Sequence, residues 1–83
     1  EAGYTFLKDE ISLLGIETIP SVANFITTIW SSQERARDVV QFLLNKGVIV
    51  RHLKAFGWPN YIRISIGTGK ENTRFINALK SIL

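Results

Sequence analysis

The chain has 83 residues, of which 46% are hydrophobic and 20% are charged, a composition that predicts one folded domain and excludes disorder as the default. It contains no cysteine and one histidine, which excludes disulfide bonds and thiolate metal sites and would leave a zinc site dependent on carboxylates. The formal net charge of +3 comes from basic residues scattered along the chain, which gives only weak support to nucleic-acid binding.

The N-terminal segment, residues 4–14, has the apolar spacing of a helix. Its stripe consists of Leu7, Ile11 and Leu14, widened by Phe6 and Leu13. Gly15 follows where helices commonly end. Residues 16–19 then form a short extended piece that Pro20-Ser21 closes.

Residues 22–30 are rich in β-branched and aromatic side chains, and they predict a main strand. Both faces of this strand are largely apolar. We therefore expect either a central strand covered on both sides, or a strand whose second face meets something outside this chain.

The segment from Ser31 to Glu34 has the sequence of a capping box, with the Ser31 hydroxyl accepting from the Glu34 amide. It predicts a helix that begins there and ends at residues 45–47. The predicted buried stripe consists of Ala36, Val39, Val40, Leu43 and Leu44. Residues 48–53 alternate like a strand and include Arg51, a cation of interest.

Residues 54–60 connect that strand to the next and include two large aromatic residues, Phe56 and Trp58. Exposed aromatic side chains on a loop typically mark a contact surface. The sequence alone does not assign either aromatic residue, or the nearby His52, a role.

Residues 60–68 are the stretch around which the chain is organised. A strand here points Ile62, Ile64 and Ile66 to one face and Tyr61, Arg63 and Ser65 to the other. Arg63 therefore has two interpretations. It is either an anchor for a carboxylate or phosphate on a rigid sheet, or a solvent-facing arginine on a half-buried strand.

A second capping box, from Thr68 to Glu71, begins the last predicted helix. The buried stripe of that helix consists of Phe75, Ile76, Leu79, Ile82 and Leu83. The order of elements predicts an α+β fold, with helices packed on one face of a small, mostly antiparallel sheet.

Catalytic motifs are absent from the sequence. There is no G-x-S-x-G, phosphate-loop or H-E-x-x-H motif, and Gly67-x-Gly69 lacks the other residues of a nucleotide loop. His52 is either a general base or a surface or partly buried residue, and no carboxylate lies near it in sequence. We assign no catalytic residue.

The second half of the chain contains the segments GVIVR at residues 47–51 and GWPNYIRISIGT at residues 57–68, followed by Glu71-Asn72, Arg74-Phe75-Ile76 and Ala78-Leu79. These segments resemble the C-terminal part of histidinol-phosphate aminotransferases, which are pyridoxal-phosphate enzymes of fold type I. Upstream, Ile19-Pro20-Ser21 and Ala23-Asn24-Phe25 also match, so the resemblance covers nearly the whole chain. It implies that residues 1–83 form the small C-terminal domain, which closes the active site.

The resemblance implies roles for two arginines. Arg63 matches the residue that binds the anionic end of the substrate, the carboxylate of an amino acid or the phosphate of histidinol phosphate. Arg51 matches a second arginine at the same anion. There are two departures: His52 stands where the family often has proline, and Trp58 stands where a smaller aliphatic residue is common.

The resemblance also implies pyridoxal phosphate in a longer parent enzyme, with none bound to these 83 residues. In that family the cofactor lysine, the aspartate that pairs with the pyridine nitrogen and the phosphate loop belong to a large domain. None of the lysines here lies in a matching motif; they are Lys8, Lys46, Lys54, Lys70 and Lys80. The expected partners are the large domain, a small anionic substrate and a second subunit, with no nucleic acid and no membrane.

Two further expectations concern the whole polypeptide. The start at Glu1 without methionine suggests a piece of a longer chain, and the lack of a signal pattern makes a cytoplasmic location the default. The alternative function is a small ferredoxin-like RNA- or ligand-binding module that uses the face with Tyr61 and Arg63. That face offers one tyrosine, whereas RNA-recognition domains stack bases on several aromatic residues.

Overall fold

The computed structural model describes residues 2–19 and 24–83. Within these ranges the chain forms three α-helices, namely α1 (Ala2–Leu13), α2 (Gln33–Asn45) and α3 (Gly69–Ile82). It also forms four strands, namely β1 (Glu17–Ile19), β2 (Phe25–Ile29), β3 (Arg51–His52) and β4 (Tyr61–Ser65). The predicted closure by Pro20-Ser21 and the first residues of the predicted strand 22–30 lie outside the described ranges.

The four strands form one antiparallel sheet in the order β1-β2-β4-β3. Burial alternates along both central strands, so that Ile26, Thr28, Ile62 and Ile64 lie on the buried face. The helices contribute buried residues to the same core, including Leu7, Ile11, Val39, Leu43, Phe75 and Leu79. All three helices therefore pack on one face of the sheet, and the predicted α+β fold class is confirmed.

The other face of the sheet is open in the described part of the chain. On it, Phe25, Thr27 and Ile29 of β2 and Tyr61 and Arg63 of β4 are only partly buried. The expectation that β2 is a central strand is confirmed. Among the described residues, helices cover only one of its two faces.

One buried hydrogen bond links the central strands, and a second one is made to the same hydroxyl. The Thr28 hydroxyl donates to the Ile62 carbonyl at 3.0 Å and accepts from Trp30 Nε1 at 2.8 Å. Thr28 and Ile62 are also cross-strand partners. Because both hydrogen-bonding capacities of the buried hydroxyl are used, the polar group stabilises this pairing.

The connection from β4 to α3 is held by side chains at the start of the helix. The predicted capping box is confirmed, since the Thr68 hydroxyl accepts from the Glu71 amide and a Glu71 oxygen accepts from the Thr68 amide. Asn72, which is buried, accepts from the Gly67 amide at 2.9 Å and donates to the Gly67 carbonyl at 3.2 Å. The end of β4 is therefore tied directly to α3.

The structure corrects the predicted start of α2. Its N-cap is Ser32, whose hydroxyl accepts from the Arg35 amide at 3.0 Å. The helix begins one residue later than the Ser31 capping box required, which moves Glu34 out of the position that would complete the box.

Several residues of the predicted stripes are also exposed instead of buried, namely Phe6, Leu13, Leu44 and Leu83.

The predicted strand over residues 48–53 is also wrong in extent. Only Arg51 and His52 pair with β4, and residues 53–56 form a 3₁₀ turn. The chain has to reverse here to reach the start of β4. The Trp58 amide donates to the Leu53 carbonyl at 3.1 Å, and Gly57 takes a positive φ of 84° that favours glycine.

No helix in the described ranges is long and apolar enough to cross a membrane. The longest of them, α3, has 14 residues.

Candidate anion site on the open sheet face

The two arginines singled out in the sequence meet on the open face of the sheet. Arg63 lies at the centre of β4, directly opposite Arg51 in β3 and Thr27 in β2. Directly opposed residues in an antiparallel pair have Cβ atoms about 4.5–5.5 Å apart and share a face. The register therefore places the two arginines side by side on this face.

The electrostatics of this pair favour an anion. Like charges that face each other across strands destabilise a sheet. In the described ranges the ion pairs join Arg37 to Asp38 and Lys80 to Glu10, and neither involves Arg51 or Arg63. A carboxylate or phosphate between the two guanidinium groups would neutralise the repulsion and use their planar N–H donors.

A cavity of about 390 Å³ lies at the same place. Its lining consists of Ile49, Val50, Arg51, His52, Arg63 and Ser65. The volume is ample for a phosphate group or for the end of an amino acid. The arginines therefore have an adjoining space in which an anion could bind.

Arg63 is held by a neighbouring aromatic ring. Its guanidinium carbon lies 4.7 Å from the centroid of Phe25, a cation–π distance. Arg63 is partly buried, whereas Arg51 is exposed. Arg63 is the better preorganised of the two, because a stacked guanidinium has less freedom to lose on binding.

The loop before β4 presents the predicted aromatic pair. Phe56 is 60% exposed and Trp58 is 57% exposed. The Trp58 ring contacts Tyr61, with ring centroids 6.1 Å apart. The predicted exposure is confirmed, and the role of the loop as a contact surface stays a prediction.

His52 has a structural contact. Its Nε2 lies 2.6 Å from the Pro59 carbonyl oxygen, which can only accept, so Nε2 carries the hydrogen. The ring therefore ties β3 to the loop before β4. Nothing in this contact supports the general-base interpretation.

The described lysines do not form a cofactor site. Lys8, Lys46, Lys54, Lys70 and Lys80 are exposed, and none lines the cavity beside the arginines. Pyridoxal-phosphate enzymes hold the cofactor through a lysine Schiff base, so these residues do not fit that cofactor. The described residues also contain no cluster of three potential metal ligands.

A second cavity, of about 410 Å³, lies on the other side of residues 48–50, between them and α3. Its polar side chains are engaged within the protein, except for Ser65, which lines both cavities. Glu71 and Asn72 bind Thr68 and Gly67, and Arg74 donates to the Lys46 carbonyl at 3.2 Å. This cavity offers few unused polar groups to a ligand.

Sequence reasoning did not find every neighbour of Arg63. The contact with Phe25 and the position of Thr27 depend on the register between β2 and β4, which no local pattern reveals. Ser65 was recognisable as a neighbour, because it lies two residues from Arg63 on the same face of the strand.

Comparison with known proteins finds matches over nearly the whole chain. The family model described as aminotransferase class I and II matches residues 1–79. The histidinol-phosphate aminotransferase of Nitratidesulfovibrio vulgaris strain Hildenborough is 41% identical over 81 residues, which are 98% of this chain and 21% of that protein. The chain thus spans about a fifth of the length of the curated relatives that it matches.

Two solved structures share the architecture. A protein from Burkholderia pseudomallei K96243, assigned as an aminotransferase, superposes with a TM-score of 0.89 at 30% identity, covering 98% of this chain and 24% of that one. A decarboxylase from Sulfurospirillum multivorans superposes with a TM-score of 0.81 at 33% identity, covering 99% of this chain and 24% of that one.

Proposed function

Because the chain belongs to the aminotransferase class I and II family, we propose that residues 1–83 are the C-terminal small domain of an enzyme of the histidinol-phosphate aminotransferase type. That enzyme moves an amino group between histidinol phosphate, or a related amino acid, and a 2-oxo acid, within histidine or other amino-acid biosynthesis. The match of 98% of this chain to 21% of a histidinol-phosphate aminotransferase supports this placement.

The observation that carries the proposal is the opposed pair of Arg51 and Arg63 beside a cavity of about 390 Å³. Arg63 binds the substrate anion through two parallel N–H···O bonds, held in orientation by Phe25. Arg51 adds a second positive charge from the neighbouring strand. Together they fix the anionic end of the substrate relative to the reacting atoms, which converts binding energy into orientation.

The rest of the catalytic apparatus is assigned to other parts of the parent enzyme. Pyridoxal phosphate, when bound, supplies the electron sink for amino-group transfer. Since no described lysine lines the cavity with the arginines, we place the cofactor on a large domain that partners this one. The parent enzyme is a cytoplasmic homodimer in this proposal, and the exposed Phe56 and Trp58 contact the large domain or the second subunit.

The alternative of a ferredoxin-like RNA- or ligand-binding module gains no support from the reported matches, which are to aminotransferases and a decarboxylase. The decarboxylase shows that a chain of this fold also occurs in an enzyme of another reaction class. We assign the choice between amino transfer and decarboxylation to the large domain that we propose to hold the cofactor.

The decisive experiment is steady-state kinetics on the enzyme that carries these 83 residues. We expect Arg63→Ala to raise the KM for histidinol phosphate at least about 30-fold, because a charge-assisted bidentate contact is lost. Arg37→Ala is the matched control, since that exposed arginine pairs with Asp38 on α2. Unchanged kinetics in Arg63→Ala would refute the assignment.

A further inference from the structure

We propose that Ser65 is a specificity-determining residue of the anion site, and that its hydroxyl donates to the third oxygen of a phosphate monoester. This inference rests on the proposed function of Arg63 and Arg51 as anion anchors. Ser65 would be a third residue of the site. Its hydroxyl would favour phosphate over carboxylate, two anions that the arginines alone could bind.

The position of Ser65 supports this role. It lies two residues after Arg63 in β4, on the same open face and about 6.6 Å further along the strand. Ser65 is exposed, and it lines the cavity of about 390 Å³ together with both arginines. A ligand in that cavity would contact all three side chains.

The contact between Arg63 and Phe25 links the arginine to the row of Ser65. Phe25 is the cross-strand partner of Ser65, not of Arg63. The guanidinium carbon of Arg63 lies 4.7 Å from the Phe25 ring centroid. Arg63, Phe25 and Ser65 are therefore neighbours on the open face.

The Ser65 hydroxyl is available for a ligand. Other hydroxyls near helix starts are used within the fold, as with Ser32 and Thr68, which cap α2 and α3. The Ser65 hydroxyl has no hydrogen-bond partner among the described residues. It is solvated in the free protein and can exchange water for a ligand oxygen at little cost.

The chemistry of the donors distinguishes phosphate from carboxylate. A bidentate guanidinium holds both oxygens of a planar carboxylate in its own plane, whereas a tetrahedral phosphate monoester keeps a third terminal oxygen outside that plane. The Ser65 hydroxyl is a donor to this third oxygen, while Arg51 adds its charge to the oxygens that Arg63 holds. Ser65 should therefore strengthen phosphate binding and leave carboxylate binding nearly unchanged.

The test is an isothermal titration of the enzyme that carries these 83 residues with methyl phosphate and, separately, with acetate, at constant ionic strength. The heats of binding give the two dissociation constants. We expect Ser65→Ala to weaken methyl phosphate binding about fivefold, the worth of one hydrogen bond to an exposed charged group, and to leave acetate binding unchanged. Ser65→Thr should retain phosphate binding, because it keeps the hydroxyl.

The control variants separate the two proposals. Ser12→Ala, at an exposed position in α1, should change neither constant. Arg63→Ala should abolish both; if it abolishes both while Ser65→Ala changes neither, the role of Ser65 is overturned and the arginine site stands. Equal weakening of both anions by Ser65→Ala also overturns the selectivity. Failure of the wild-type protein to bind either anion, or full binding by Arg63→Ala, overturns the arginine site and with it the role of Ser65.

Discussion

Arg51 and Arg63 lie directly opposite each other on neighbouring antiparallel strands, although no described carboxylate pairs with either. Like charges directly opposite each other destabilise an antiparallel pair. In the proposed anion site, the same two charges would attract the substrate anion. The proposed function would therefore be gained at a cost in the stability of the sheet edge.

Removing one charge of the pair should stabilise the free protein. We expect Arg51→Gln to raise the free energy of unfolding by about 0.5 kcal/mol at low ionic strength, since it removes the repulsion but keeps a long polar side chain. The gain should shrink in about 1 M salt, where charges are screened beyond about 3 Å. Urea unfolding at the two salt concentrations measures both effects.

The matched control for this prediction is Arg37→Gln, because Arg37 is also exposed but lies 3.6 Å from Asp38. Its removal should leave stability unchanged or lower it slightly. Stabilisation by both variants to the same extent would show that the gain comes from the net charge and not from the Arg51–Arg63 pair.

The sequence predicted which face of β4 carries Arg63, because the alternation of isoleucines with polar residues has the two-residue period of a strand. It did not predict that Arg51 lies opposite Arg63. That register depends on the turn between the strands, where residues 53–56 leave the extended conformation. The alternation of residues 48–53 also predicted too long a strand, because residues 48–50 do not pair with β4 and Leu53 already begins the turn.

The start of α2 shows a second limit of prediction from the sequence. Ser31 and Ser32 are chemically identical capping residues, and Glu34 completes a capping box only with Ser31. The helix instead uses Ser32, with the Ala36, Val39 and Leu43 stripe buried. A shift of one residue changes which side chains face the core, so packing decides between two caps that local chemistry leaves nearly equal.

Among the polar residues of the β4–α3 connection, Asn72 should contribute most to the stability of the protein. Asn72→Ala removes both hydrogen bonds to Gly67, at 2.9 and 3.2 Å, and we expect a loss of about 2–3 kcal/mol in the free energy of unfolding. Asn45→Ala is the control, because Asn45 is exposed and accepts only from Gln41. It should cost less than about 0.5 kcal/mol by the same urea measurement. Equal costs for the two variants would contradict the role given to Asn72.

Gly67 is predicted to be needed for the Glu71 cap. A Cβ atom at residue 67 would collide with a Glu71 carboxylate oxygen and lie 3.2 Å from Glu71 Cβ. Gly67→Ala should therefore displace the carboxylate from the Thr68 amide and cost about 1 kcal/mol. Glu71→Ala should cost a similar amount alone but almost nothing in the Gly67→Ala background. Additive losses in this double-mutant cycle would show that the two residues act independently.

Loss of the Thr28 hydroxyl should destabilise the protein mainly because it leaves a buried donor unpaired. Thr28→Val keeps the shape of a buried side chain but deprives Trp30 Nε1–H of its acceptor at 2.8 Å. We expect a loss of about 1–3 kcal/mol, the cost of a buried donor without a partner. In a Trp30→Phe background, where that donor is absent, Thr28→Val should cost less than about 1 kcal/mol, because only the bond to the Ile62 carbonyl remains to be lost. Thermal or urea unfolding of the four proteins measures the coupling. A cost for Thr28→Val that is the same in both backgrounds would mean that the Ile62 contact, not the Trp30 contact, makes the hydroxyl necessary.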